Sequence, residues 1–444
     1  MVGAGAAGLA VVEHARKAGL RPLLVTDGPP GGDCTFTGCV PSKTLLAAAA
    51  EGQDFLHATH RVRVTIEQIA ATETAEVLRE QGVDVVEGRA RFVGPREIDV
   101  DGDRHRGARV VVATGARPAL PPVPGVEEAD PLTSENVFDL AAQPDRLLVL
   151  GGGPIGCELA QAFQRLGTEV TLVEALPRLL SGEEPEASQA VLEALGEDGV
   201  EVVLGEPAVR VERRGDEVVV VTARREVVGD RLLVATGRTP TVDLDLDAAG
   251  VELDDRGYIA TDDRLRTTAE DVFAVGDVTG RATYTHAAYY MGYLVASNLT
   301  KKRGGASYDG SAIPHVTFTA PEVARVGMSE AQAARRGGRV AYLPMSEVDR
   351  AIIDGAPEGF VKLIVGPRRL LRNAGGGRVL GATIVAARAG EMIHEPTLAM
   401  RTGMFAGRLA QTTHAYPTWS TALQKAAAQF FTEVDGRRAR RAES

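Results

Sequence analysis

Two cysteines five residues apart, Cys34 and Cys39, lie in the segment Gly31-Gly32-Asp33-Cys34-Thr35-Phe36-Thr37-Gly38-Cys39-Val40-Pro41-Ser42-Lys43. Such a pair can close into a disulfide within one glycine-relieved turn and open again, the chemistry of a dithiol that takes up and releases two electrons. A helix predicted to follow directs its positive N-terminal end at the sulfurs and favours thiolate over thiol. A structural disulfide is the competing reading. Thiols inside cells are kept reduced, so a close pair flanked by Gly, Pro and Lys reads as catalytic. The third cysteine, Cys157, falls on a predicted helix facing a sheet, where packing accounts for it.

Two glycine-rich loops must position substrates around that pair. The first is Gly3-Ala4-Gly5-Ala6-Ala7-Gly8; the second, Gly151-Gly152-Gly153-Pro154-Ile155-Gly156, follows the apolar run Leu147 to Leu150. Each reads as strand, turn and helix. The first glycine permits the sharp turn, the second admits a pyrophosphate to the backbone, and the third lets helix pack on strand. Two loops with a dithiol just after the first imply two dinucleotides and a sulfur relay. Glu174 stands eighteen residues after Gly156, at the end of Val170-Thr171-Leu172-Val173. A carboxylate there bonds a free 2′-hydroxyl and repels a 2′-phosphate, so NADH is expected over NADPH, with Arg178 nearby to soften the preference.

With these residues and with Ala113-Thr114-Gly115, Ala235-Thr236-Gly237-Arg238 and Asp271-Val272-Phe273-Ala274-Val275-Gly276-Asp277, in that order, the chain resembles the pyridine nucleotide-disulfide oxidoreductases. That flavoprotein family includes lipoamide dehydrogenase, glutathione reductase and mercuric reductase. The resemblance covers nearly the whole chain. It implies FAD on the first loop, held by Gly3, Gly5, Gly8, Thr114, Gly115, Gly237, Gly276 and Asp277. It also implies a nicotinamide nucleotide on Gly151, Gly153, Gly156 and Glu174, and a disulfide lying against the flavin. Lys43 resembles the lysine near flavin N5 and Glu158 the glutamate that pairs with it, a carboxylate limiting the cost of burying a cation. Where the family usually has a ribose-binding glutamate this chain has Thr26 and then Asp27, of which Asp27 is preferred for its charge.

The C-terminal segment departs from the family. Thiol-handling members end in His-Pro-Thr-x-x-Glu, whereas here the order is His414-Ala415-Tyr416-Pro417-Thr418-Trp419-Ser420-Thr421. Tyr416 replaces the proton-shuttling histidine and Thr421 its orienting glutamate. A phenol of pKa ~10 is a poor base at neutral pH. His414 lies two residues away, roughly 6 to 7 Å along an extended chain, too far to replace it directly. No cysteine follows Cys157, so the vicinal pair of mercuric reductases is missing. The acceptor is therefore left open among a small non-thiol molecule, a metal ion or quinone, and lipoamide through an altered relay. A flavin-bound redox sensor or silent subunit is the alternative of another class.

Composition bounds these readings. At 444 residues, about three domains are expected. With 49 Lys plus Arg against 60 Asp plus Glu, the formal charge of −11 argues against nucleic acid or anionic membrane as the main partner. No run approaches roughly 18 apolar residues, and with no leader before the first loop a cytoplasmic location is expected. The predicted fold is α/β, with two Rossmann-like nucleotide domains and a C-terminal α+β domain that in the family forms a homodimer. The expected boundaries are 1–140 with 263–309 for FAD, 141–262 for NAD(P), 310–435 for dimerisation, and a disordered tail at 436–444. Two anomalies stand out. Only Met1 and Val2 precede Gly3, so the central strand is expected to be nearly absent and the start truncated, and the stretch from Lys43 to Gly82 is short enough to predict a trimmed helix.

Overall fold

The computed structural model describes residues 1–301, 304–368 and 373–443 and divides into two units. The first comprises Met1–Pro121, Leu132–Gln143 and Thr236–Gly310. Its valine- and leucine-rich runs form parallel strands because such side chains fit a pleated surface covered on both faces. Leu23–Thr26 pairs with Asp84–Glu87, and Val110–Val112 with Val272–Ala274. Val2 fills the position between them, in parallel register with Val25 on one side and Val112 on the other. The central strand is thus reduced to a single rung, in which the Val2 amide donates to Val111 O and the Gly3 amide to Val25 O.

Helices Ala6–Lys17 and Thr285–Leu299 pack together in this unit. The stretch after Lys43 retains two full helices, Cys39–Ala50 and Phe55–Ala70, the latter capped by Asp54 accepting from the His57 amide. A meander of Ala90–Gly94, Glu97–Val100 and Asp103–Arg106 brings Phe92, Ile98 and Val100 into the core with Val25, Val112 and Ala274.

The second unit comprises Pro122–Pro131, Pro144–Ala235 and the residues from Ser311 on. Its parallel sheet runs in the order Glu201–Leu204, Glu169–Glu174, Arg146–Leu150, Arg231–Val234. A second meander, Ala208–Arg214, Glu217–Thr222 and Glu226–Gly229, packs Val211, Val218 and Val220 with Leu148, Leu150 and Val234. The C-terminal part is a six-stranded antiparallel sheet ordered His315–Thr317, Glu322–Gly327, Arg378–Ala386, Phe360–Gly366, Arg339–Pro344, Arg440–Arg441. Val361, Leu363 and Ile384 from this sheet join Leu423 and Ala426 of helix Thr421–Ala428 in its core.

The tail corrects an expectation. Over residues 436–443 it is an ordered edge rather than a disordered end, with Arg440–Arg441 pairing against Arg339 and Val340, and Arg440 bonded to Glu330. Ser444 lies outside the described residues. Its basic side chains find a strand edge and a buried carboxylate, which local composition does not reveal. Among the described residues no helix is long and apolar enough to cross a membrane.

Candidate active site

The first glycine loop turns directly from Val2 into helix Ala6–Lys17, with Gly5 at its N-cap. A Cβ on Gly8 would be driven into the Gly3 carbonyl oxygen, so the third glycine permits the helix to sit on the turn. A Cβ on Gly5 would meet nothing within 4 Å. The open backbone at the positive end of a helix suits the pyrophosphate of FAD. Thr26 is buried, its hydroxyl donating to Gly28 O at 2.7 Å, while Asp27 beside it is exposed. Of the two candidates for the ribose, Asp27 has the accessible side chain.

The dithiol turn is stitched to this loop. The Gly31 amide donates to Ala4 O at 2.9 Å, and Gly5 bridges Gly31. Cys34 lies in the short helix Gly32–Phe36, and Cys39 opens helix Cys39–Ala50. Cys34 is half-buried and Cys39 exposed. The neighbouring Cys39 side chain together with burial pushes the Cys34 thiol up. Cys39 Sγ also lies 3.5 Å from the hydroxyl of Thr285, the first residue of helix Thr285–Leu299. Lys43, one turn beyond Cys39, donates to Ser42 Oγ at 3.3 Å.

The remaining landmarks of the first unit converge here. Ala116–Pro118 pairs antiparallel with Arg238–Pro240. Thr114 donates its hydroxyl to Thr241 O at 2.6 Å, the Gly115 carbonyl accepts from the Thr241 amide, and the Gly237 carbonyl accepts from Ala119. Gly276 sits against Ala7 of the first helix and brings Asp277 with it. Arg238 donates to Asp33, the residue before Cys34, and to Ala116 O, while its Nε lies 3.8 Å from Asp277 Oδ2. Burial pushes the Asp277 carboxyl up to about 6; Asp33 and Cys39 add to the rise and Arg238 opposes it. An acceptor-rich, partly protonated carboxyl beside an open glycine loop fits the hydroxylated part of FAD. Asp33 and Thr285 were not singled out from the sequence.

The second unit repeats the cradle. A Cβ on Gly156 would strike the Gly151 carbonyl, whereas one on Gly153, the N-cap of helix Pro154–Arg165, meets nothing within 4 Å. Glu174 ends strand Glu169–Glu174, its carboxylate accepting from the Gly152 amide at 2.5 Å and the Leu176 amide at 2.7 Å. Those bonds aim a fixed negative charge at the loop and suit the ribose of a nicotinamide dinucleotide. Arg178 donates to Ser181 O at 3.0 Å. Glu158, only 3% exposed, accepts from the Phe318 amide at 2.8 Å.

The C-terminal segment of the same unit holds no base at the expected position. Tyr416 is 74% exposed, and the nearby Asp349 carboxylate raises its phenol further. The Thr421 hydroxyl donates to Thr418 O at 2.6 Å. His414, in contrast, is nearly buried: Nδ1 lies 2.9 Å from Thr412 O and Nε2 3.1 Å from both oxygens of Glu395. Glu395 lies 19 residues before His414 on helix His394–Arg401, at no family spacing that would have announced the pair.

The family model for pyridine nucleotide-disulphide oxidoreductases matches residues 1–292, and the model for their dimerisation domain matches residues 313–427. A mercuric reductase of Bacillus cereus is 34% identical over 98% of this chain and 71% of its own length. A dihydrolipoyl dehydrogenase of Thermus scotoductus is also 34% identical, over 96% of both chains. Among solved structures, the HOCl-induced flavoprotein disulfide reductase RclA from Escherichia coli superposes with a TM-score of 0.88 at 30% identity, covering 96% of this chain and 98% of that one. Two dinucleotide cradles, the dithiol turn between them in sequence and matches along nearly the whole length lead to one assignment: the chain belongs to the class I pyridine nucleotide-disulfide oxidoreductases, the FAD- and pyridine-nucleotide-dependent flavoproteins.

Proposed function

We propose that this protein is a homodimeric, NADH-dependent flavoprotein that passes electrons through a Cys34–Cys39 disulfide to a small acceptor requiring no proton shuttle from the C-terminal segment. The observation that carries the reading is a paired dithiol next to the first glycine loop, combined with an exposed Tyr416 whose phenol Asp349 raises further, where a base would be needed. When bound, the flavin relays two electrons between nicotinamide and the Cys34–Cys39 bond. Two electrons and one proton break the S–S bond into one thiol and one thiolate. Cys39, at a helix N-terminus beside the Thr285 hydroxyl, is the sulfur placed to carry the charge, while Cys39 and burial raise the Cys34 thiol. Lys43 is assigned the role that family resemblance implies, a cation beside the flavin.

Glu174 supports NADH as the donor. With both oxygens held by backbone amides, it cannot swing away from a 2′-phosphate, a repulsion worth ~1 to 3 kcal/mol. Mercuric ion enters as an acceptor candidate from the names of the relatives, beside quinones and artificial dyes, although no cysteine follows Cys157. Dihydrolipoyl dehydrogenase activity with His414 as base is a second reading, favoured by its carboxylate partner. Both ring nitrogens are already engaged within the segment, however, so neither faces a substrate sulfur without breaking a bond.

Steady-state oxidation of NADH by flavin-loaded protein across a panel of quinone, dye, mercuric ion, lipoamide and glutathione disulfide tests this. Repeated turnover with a non-thiol acceptor and a higher kcat/KM for NADH than NADPH is expected. Fast lipoamide turnover would overturn the acceptor assignment, and a single reduction without turnover would identify a sensor.

A further inference from the structure

Arg368, Thr402, Phe405, Arg408, Gln411 and Thr412 line a cleft of about 600 Å³ in the second unit. That volume suits a small molecule. The guanidinium groups of Arg368 and Arg408 each lie 5.5 Å from the centre of the same Phe405 ring. A third, Arg378, bridges Phe405 through its backbone, and its Nε lies 3.9 Å from where a Gly403 side chain would begin. Among the described residues no carboxylate lines the cleft, and none of these three arginines forms an ion pair.

This concentration of positive charge runs against a chain whose net charge is −11. Bringing like charges together is unfavourable unless something neutralises them. Stacking on Phe405 occupies the flat face of a guanidinium and leaves its in-plane N–H donors for another partner. Those donors match the paired oxygens of phosphate. The Gln411 amide adds an uncharged donor at the rim.

We propose that this cleft binds a multiply charged oxyanion of the diphosphate class. Two or more negative charges balance the arginines of this cleft where a single carboxylate leaves them in excess. The ligand is either the free anion or the diphosphate of a nucleotide, and the two sources are separable by experiment.

The test is isothermal titration of inorganic pyrophosphate into flavin-loaded protein saturated with NAD⁺, so that both glycine loops already hold dinucleotides. One saturable site per chain is expected, weakened at least about tenfold by Arg368→Gln or Arg408→Gln and lost in the double variant. Arg231→Gln, an exposed arginine elsewhere in the unit, should leave it unchanged. Circular dichroism melting of each variant separates lost binding from lost folding. ADP in the same assay identifies the source: binding tighter than pyrophosphate assigns a nucleotide, weaker binding the free anion. Absence of saturable heat, or heat that persists in the folded double variant, would overturn the proposal.

Discussion

In the dithiol turn the two sulfurs have different surroundings. Cys34 is half-buried, its thiol raised by the neighbouring Cys39 and by burial, while Cys39 is exposed at the start of a helix with Thr285 3.5 Å away. Cys34→Ser should therefore show a long-wavelength absorption band from a free Cys39 thiolate beside the oxidised flavin, and Cys39→Ser should lack it; a band indifferent to both would make the pair structural. At the C-terminal position, Tyr416→His plus Thr421→Glu should recover part of the roughly 10²- to 10⁴-fold expected for a general acid–base. The double variant should gain more lipoamide activity than the two single changes together, since the glutamate acts only through the imidazole. Asp277 carries a pH signature. Its carboxyl rises from 3.8 to about 6 through burial, so the folded state binds its proton more tightly than the unfolded chain and stability falls as pH rises through that window. Flavin-free protein should lose on the order of 2 to 3 kcal/mol between pH 4 and 6 from this group, a slope that Asp277→Asn removes in urea denaturation.

At the scale of elements, a buried lysine ties strands to helices. Lys362 on Phe360–Gly366 is 1% exposed and lies 3.2 Å from Glu184, 2.7 Å from Glu186 and 3.0 Å from Glu330. Burial works to lower its ammonium, and hydrogen bonds to Glu186 and Glu330 more than offset that, so the net direction is upward. The C-terminal strand adds Arg440 to Glu330 from the other side. Lys362→Met should cost about 3 to 5 kcal/mol because it leaves Glu184 buried without its cation and Glu330 with Arg440 alone. Denaturant melts measure this, and a loss below 1 kcal/mol would show that the cluster is solvated. Glu184 caps helix Pro185–Glu197, so the same network anchors that helix to the antiparallel sheet.

For the whole molecule, the dimerisation-domain match at residues 313–427 contains large apolar side chains left exposed in a single chain, among them Ile352, Ile353 and Leu398 at 57, 63 and 59%. Exposed apolar groups of this size commonly mark a surface that another chain covers. Light scattering should give a homodimer at micromolar concentration, and Ile353→Arg with Leu398→Arg should shift it toward monomer with a lower melting temperature. An unchanged dimer would place the interface elsewhere.

The dithiol turn, both glycine loops and Glu174 were legible because their chemistry is built within one or two turns of chain: residue spacing alone sets the helix N-terminus, the open glycine and the strand-end carboxylate. The six-strand C-terminal sheet was legible only in fragments, since Phe360–Gly366 and Arg378–Ala386 announce themselves by β-branched runs while the edge strand Arg440–Arg441 carries no strand signal. Of the two meanders, only the valine run Val218 to Val221 is announced by the sequence; the other strands are short mixed runs. Tertiary structure decided the partners. Thr285 reaches Cys39 across 246 residues, Arg238 reaches Asp33 across 205, and Glu184 reaches Lys362 across 178. Spacing thus determined that this chain carries two dinucleotide loops and a close cysteine pair, and the motif order determined the family resemblance that implies its cofactors. The fold alone decided that the Cys34 thiol and the Asp277 carboxyl are raised and what holds the tail. Those depend on burial and on charges brought together through space, and neither is a property of neighbouring residues in the chain.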